Sequence, residues 1–173
     1  MKIYVACAAN NDIPQEYVDD CKKIFNKLFI EHDLIFGACD RSIMGLAYQT
    51  AKANGRKIIG VCPKVYESGS KALDCDEKIV TLDMNEATIT MINQCDEMIV
   101  FPGGVGTLYE LFVAIQCKIC QEHSKPIIIY NAGGFYSGLI DYLKNLQHQG
   151  FISEEVVKDL RIANTETELI NCI

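Results

Sequence analysis

In the stretch Phe101-Pro102-Gly103-Gly104-Val105-Gly106-Thr107-Leu108-Tyr109-Glu110, three glycines and a threonine separate a short apolar run from a longer one, and a glutamate follows. Residues 97–101 read as a buried strand and residues 108–115 as a helix. Strand, glycine turn and helix together make a phosphate-binding arrangement. Glycines let backbone N–H groups approach an anion with no Cβ in the way, and the first helical turn adds unpaired donors and the positive end of its dipole. Glu110 falls one turn into that helix, where it can face whatever the phosphate is attached to. Thr107-x-x-Glu110 is also a capping-box pattern, in which the glutamate would bond back to the helix start.

A second group with ligand chemistry is Cys117-x-x-Cys120-x-x-His123. Residues three apart on one helix drift around its axis, and no further ligand pair follows at zinc-site spacing, so no metal is expected there. His32 and His148 sit near expected helix ends as solvated or capping groups. Tyr109 and Phe112 follow helical spacing, which points to core or subunit packing before base stacking. The pairs Asp19-Asp20 and Glu154-Glu155 read as solvated faces.

The elements that must position these residues alternate along the whole chain. Strands are expected over residues 3–8, 34–37, 57–62, 77–82, 97–101, 126–130 and 161–163. Helices are expected over 14–31, 42–54 with Gly55 closing it, 85–94, 108–115, 136–149 closed by Gly150, and a last one entered through Asn164 or Thr165. Residues 64–76 carry Ser68-Gly69-Ser70 and read as a surface loop near the ligand. The alternation implies βαβ crossovers and an α/β, three-layer fold with a mainly parallel sheet between helices. Ligands in such sheets bind beyond the carboxyl ends of the strands, where strand order reverses.

Composition sets the outer limits. At 173 residues, 49% of them hydrophobic, the chain can bury one substantial core, and one domain over 1–173 is expected. The net charge of −7 is dispersed, with no Lys/Arg cluster, which argues against a nucleic-acid duplex as partner but leaves room for one small anion. No apolar run approaches the ~18 residues of a membrane span, and the first residues do not read as a signal peptide. A cytoplasmic protein is expected, and in that compartment the nine cysteines stay reduced, with Cys7, Cys62 and Cys95 as small buried apolar residues.

The segment Pro102 to Glu110, Pro-Gly-Gly-x-Gly-Thr-x-x-Glu, resembles the signature of the LOG family, cytokinin-activating nucleoside 5′-monophosphate phosphoribohydrolases also known as lysine decarboxylase-like proteins. The run Phe36-Gly37-Ala38-Cys39-Asp40-Arg41-Ser42-Ile43-Met44-Gly45 is similar to that family's second glycine loop, and Asn131-Ala132-Gly133-Gly134-Phe135-Tyr136 to its late Gly-Tyr-Tyr segment. The wider group includes molybdenum cofactor carriers. The resemblance implies a Rossmann-like fold, a homodimer with the helices around the glycine loop in its interface, and a bound nucleoside monophosphate with no cofactor and no metal. Carried over, Gly103, Gly104, Val105, Gly106 and Thr107 form the phosphate turn, Gly37 and Met84 belong to the binding set, and Glu110 is catalytic beside the ribose. A carboxylate suits that place because glycoside cleavage builds oxocarbenium character that a negative charge stabilises.

Two departures weaken the match. The family's Met-x-x-Arg-Lys reads Met84-Asn85-Glu86-Ala87-Thr88 here, so Ala87 stands where a catalytic arginine belongs, flanked by Asp83 and Glu86, which either face the pocket or mark a helix start. A charge-assisted hydrogen bond is worth ~1.5–3 kcal/mol, so its loss from the transition state would slow a reaction by roughly tenfold to a hundredfold or more. In the second loop Ala38, Cys39 and Ser42 replace residues that are typically glycine in the family, and Arg41 is expected to substitute in part for the missing cation. Two classes of function follow: an N-glycosidase releasing base and ribose 5-phosphate, or a nucleotide or phosphorylated-cofactor carrier that keeps the cradle without the chemistry. A ribosyltransferase using the same carboxylate is a third option.

Overall fold

Short runs of branched apolar residues, too brief for a buried helix, become the strands of one sheet, and the amphipathic segments between them become its covering helices. The computed structural model describes residues 1–70 and 73–173. Its strands are β1 (Lys2–Ala6), β2 (Asp33–Phe36), β3 (Ile58–Pro63), β4 (Glu77–Thr81), β5 (Glu97–Val100), β6 (Ile127–Tyr130) and β7 (Leu160–Ala163). The helices are α1 (Gln15–Leu28), α2 (Ser42–Ala53), α3 (Glu67–Ser70), α4 (Met84–Gln94), α5 (Val105–Ile119), α6 (Ser137–His148), α7 (Glu154–Lys158) and α8 (Glu166–Cys172).

The sheet order is β4-β3-β2-β1-β5-β6-β7, and every pairing among the described residues is parallel. Both faces are covered. Ile3, Val5 and Cys7 of the β1 segment pack with α1, α2 and α8, whereas the alternate residues Tyr4 and Ala6 pack with α4, α5 and α6. This is the Rossmann-like three-layer α/β fold. No helix among the described residues is long and apolar enough to cross a membrane.

Element ends are set by local chemistry. Asp83 caps α4 by accepting from the Glu86 N–H at 2.9 Å, and the Glu86 carboxylate accepts from the Leu82 N–H at 2.7 Å. Thr165 and Glu168 repeat the same reciprocal cap at α8. Gly55 ends α2 in the left-handed region, φ 63°, as its position suggests.

Several sequence expectations are corrected. Helix α1 is shorter than residues 14–31 at both ends, because Pro14 serves as its cap and the chain turns at Phe29. The expected loop over 64–76 holds a 3-10 turn, Lys64–Tyr66, and α3, while residues 71–72 of that span lie outside the described residues. Helix α5 opens at Val105, three residues before the apolar periodicity begins, since glycines carry no periodic signal. Helix α7 was not expected; Glu154 and Glu155 form its first turn. Asp20 is not simply solvated, for it accepts the hydroxyl of Tyr130. Cys7, Cys62 and Cys95 are buried, as their setting in apolar runs implies.

Candidate functional site

Strands β1 and β5 are neighbours, but the chain leaves β1 toward β2 and leaves β5 toward β6. Their carboxyl-end loops therefore diverge and open a crevice at the point where strand order reverses. Its floor is tied by backbone bonds: Phe101 N–H to Ala6 O at 2.8 Å, Ala8 N–H to Pro102 O at 3.1 Å, and Met44 N–H to Ala8 O at 3.1 Å. Above them lies a cleft of about 750 Å³, large enough for a nucleotide-sized ligand.

The glycine turn forms one wall. Gly104 caps α5 and the helix proper starts at Val105, so the amides of its first turn have no partner within the helix and lie at the positive end of its dipole. Thr107 is the third helical residue and not a cap, which removes the capping-box alternative for Glu110. Gly103 is required by close approach: a Cβ there would lie 2.1 Å from Thr107 Oγ1 and 2.7 Å from Thr107 Cβ. The Tyr136 hydroxyl donates to Phe101 O at 2.8 Å and faces the Gly103 N–H, bracing the turn from behind.

Glu110 lines the cleft one turn deeper. Its side chain is 6% exposed, and burial pushes its pKa up to about 7, with the Tyr4 hydroxyl pulling in the opposite direction. A carboxyl poised at neutrality, in a cleft, is the usual state of a group used for proton or charge management.

The opposite wall is the β2–α2 loop. Ala38 and Ser42, two of the three positions where the family resemblance leads one to expect glycine, both adopt left-handed backbone, φ 50° and 54°. Such geometry costs a residue with a Cβ roughly 1–2 kcal/mol, and the loop is held in it by tertiary contacts. Ser42 N–H donates to Asn11 Oδ1 at 3.0 Å, and Gly45 packs so tightly that a Cβ would lie 2.1 Å from the Asp40 carbonyl oxygen. Arg41 lines the cleft, solvent-exposed and beside Cys39, and it is the only Lys, Arg or His among the described lining residues. Ala87 lines the cleft from α4 beside Met84, Met91 and Val61, so an apolar wall stands where a cation was expected.

Of the residues singled out from sequence, Gly37, Arg41, Met84, Gly103, Gly104, Gly106, Thr107 and Glu110 come together on this one cleft. The Val105 side chain does not join them; it is 85% exposed and only its backbone belongs to the turn. Asp83 and Glu86 do not line the cleft either, being used as helix caps. His123 donates to the Ala114 carbonyl at 2.9 Å, while Cys117 is buried on α5 and Cys120, just past its end, is exposed. Sequence reading missed Tyr17 and Phe135, which pair edge-to-face at 5.3 Å on the cleft rim. No local pattern announces them, because α1 and the turn before α6 meet only in the fold. It also missed Tyr4, although a phenol inside an otherwise apolar strand is a visible anomaly.

A family model described as possible lysine decarboxylase matches residues 44–173. The chain is similar to cytokinin riboside 5′-monophosphate phosphoribohydrolase LOG4 of Arabidopsis thaliana, 29% identical over 98% of this chain and 80% of that protein. Among solved structures it is similar to the Moco carrier protein of Chlamydomonas reinhardtii, with a TM-score of 0.72, 19% identity and coverage of 99% and 93% of the two chains. The molybdenum cofactor binding protein of Rippkaea orientalis gives a TM-score of 0.72 at 20% identity, with the same coverage. At those identities the likeness to the two carriers is one of fold. The matched family model, with relatives aligned over nearly the full chain, places this protein in the LOG, or lysine decarboxylase-like, family.

Proposed function

We propose that the protein is a nucleoside 5′-monophosphate phosphoribohydrolase-like N-glycosidase, releasing free base and ribose 5-phosphate. The observation that carries this reading is Glu110: a buried carboxyl with a pKa near 7, one helical turn from a glycine turn whose amides face a cleft of about 750 Å³. The first-turn amides of α5 and Thr107 hold the 5′-phosphate, which brings the ribose alongside Glu110. As the N-glycosidic bond breaks, the ionised carboxylate stabilises positive charge on the sugar and orients the water that captures it; the water's hydroxyl joins the anomeric carbon and its proton leaves with the base. Arg41 supplies the cleft's positive charge from the opposite wall.

One observation favours a second reading. Ala87 leaves the inner wall apolar, so the site suits a nucleotide or phosphorylated-cofactor carrier that retains the cradle alone. The exposed side chains of Val105, Tyr109 and Phe112 recur along one face of α5 at helical spacing and border the glycine turn. This stripe supports a homodimer in which α5 meets a second copy of the chain.

The test is incubation of the purified protein with a panel of nucleoside monophosphates and chromatography of the products. Base release is expected, rising with pH through about 7 as Glu110 ionises, and Glu110→Gln is expected to lower it at least a hundredfold. Binding without any product would select the carrier. Base release that survives in Glu110→Gln would remove the carboxylate from the mechanism.

A further inference from the structure

Tyr4 lies wholly buried in β1, a central strand, on the sheet face covered by α4 and α5. Its ring belongs to the apolar cluster with Ile35, Ile59 and Leu111, which explains a large side chain there but not a polar one. The hydroxyl forms no well-made hydrogen bond with any described residue. It does face the Glu110 carboxyl, close enough for the two groups to perturb each other. A buried phenol needs an acceptor, and a carboxylate held away from water needs a donor. The unpartnered Tyr4 hydroxyl and the Glu110 carboxyl meet between β1 and α5.

We propose that Tyr4 is a positioning residue for Glu110, its hydroxyl donating to the carboxylate so that the acid is held ionised and oriented at the sugar end of the cleft. The inference rests on the role given to Glu110 above. The other titratable groups that face Glu110 are Cys7 of the β1 segment and Tyr136 before α6, and burial pushes both toward their neutral forms. Tyr136 already donates to Phe101 O. From α4 the cleft wall offers Ala87 and two methionines, none of which can donate. Tyr4 therefore does part of the work that a cation on that wall would do. Its loose geometry fits the role, since hydrogen bonds to catalytic groups often tighten only with substrate in place.

The deciding experiment has two arms, both on the full chain. In the first, protein labelled with 13C at the glutamate carboxyl is titrated by NMR without ligand, with the Glu110 signal assigned from its loss in Glu110→Gln. Tyr4→Phe keeps the ring and removes only the hydroxyl. It is expected to move the Glu110 midpoint upward and to lower the ionised fraction at pH 7 roughly fivefold; a midpoint that stays or falls overturns the proposal. In the second arm, base release by Tyr4→Phe should drop by a similar factor at pH 7 and return to within about twofold of the parent at pH 9. An equal loss at both pH values would mean a purely structural tyrosine and would also overturn it. If the parent protein releases no base, the glycosidase reading fails, while the NMR arm still decides the role of Tyr4.

Discussion

Glu110 works against the fold that contains it. Its carboxyl ionises near 4.5 in an unfolded chain and at about 7 in the folded one, so the folded state holds the proton longer. The stability this contributes is fully present below about pH 4.5 and is lost as pH rises through 7, a change on the order of 3 kcal/mol. Glu110→Gln, which cannot ionise, should therefore be more stable than the parent at pH 8, with the difference shrinking toward pH 5. Urea unfolding at several pH values measures this, and a difference that does not vary with pH would contradict the burial described. A residue that lowers stability at neutral pH yet lies buried in the wall of a cleft fits the general trade between function and stability. At this scale the sequence was legible where chemistry is local. The three glycines, Thr107 and Glu110 are contiguous, and their types alone suggest an anion and an acid. Tyr17 and Phe135 were not legible, because their relation to the cleft exists only once strands and helices from distant parts of the chain are brought together.

The elements act as mounts whose ends matter more than their middles. Helix α2 sits so close to the β2–α2 loop that residue 45 has no room for a side chain, the Asp40 carbonyl oxygen lying 2.1 Å from where a Cβ would be. Backbone cannot move aside as a side-chain tip can. Gly45→Ala should then cost about 3 kcal/mol or more, seen as a fall in Tm of several degrees together with weaker ligand binding as the Arg41 wall shifts. An unchanged Tm would show that the loop is slack. Helix existence was readable from periodicity for α1, α2, α4 and α6, and the bounds of α2, α4 and α6 to within a residue, whereas the end of α1 and both ends of α5 were not. Helix α5 begins inside the glycine run, which the apolar pattern cannot register, and the placing of Asp83 and Glu86 depended on seeing which atoms they cap.

On the scale of the whole molecule, the strand order places the reversal between β1 and β5, and the glycine turn follows directly from β5. The alternation of strand and helix was enough to expect a parallel sheet with a ligand at its carboxyl edge. The order of strands was not readable, since apolar runs buried on both faces carry no mark of their neighbours. The net charge of −7 makes a local, backbone-based phosphate site more economical than a basic surface. If the exposed stripe on α5 meets a second copy, the protein should run as a dimer in light scattering, and Phe112→Glu, which places a charge in that stripe, should shift it to monomer. A parent that is monomeric at tens of micromolar would remove the dimer.

Both functional readings share one claim, that the glycine turn clasps the phosphate of a bound ligand. Calorimetric titration of Glu110→Gln, chosen so that ligand is not consumed, with a nucleoside monophosphate and then with the matching nucleoside tests it directly. The nucleotide should bind at least tenfold more tightly than the nucleoside, with Arg41→Ala added to the same background weakening the nucleotide alone. Equal affinity for the two ligands, or binding of neither, would contradict it.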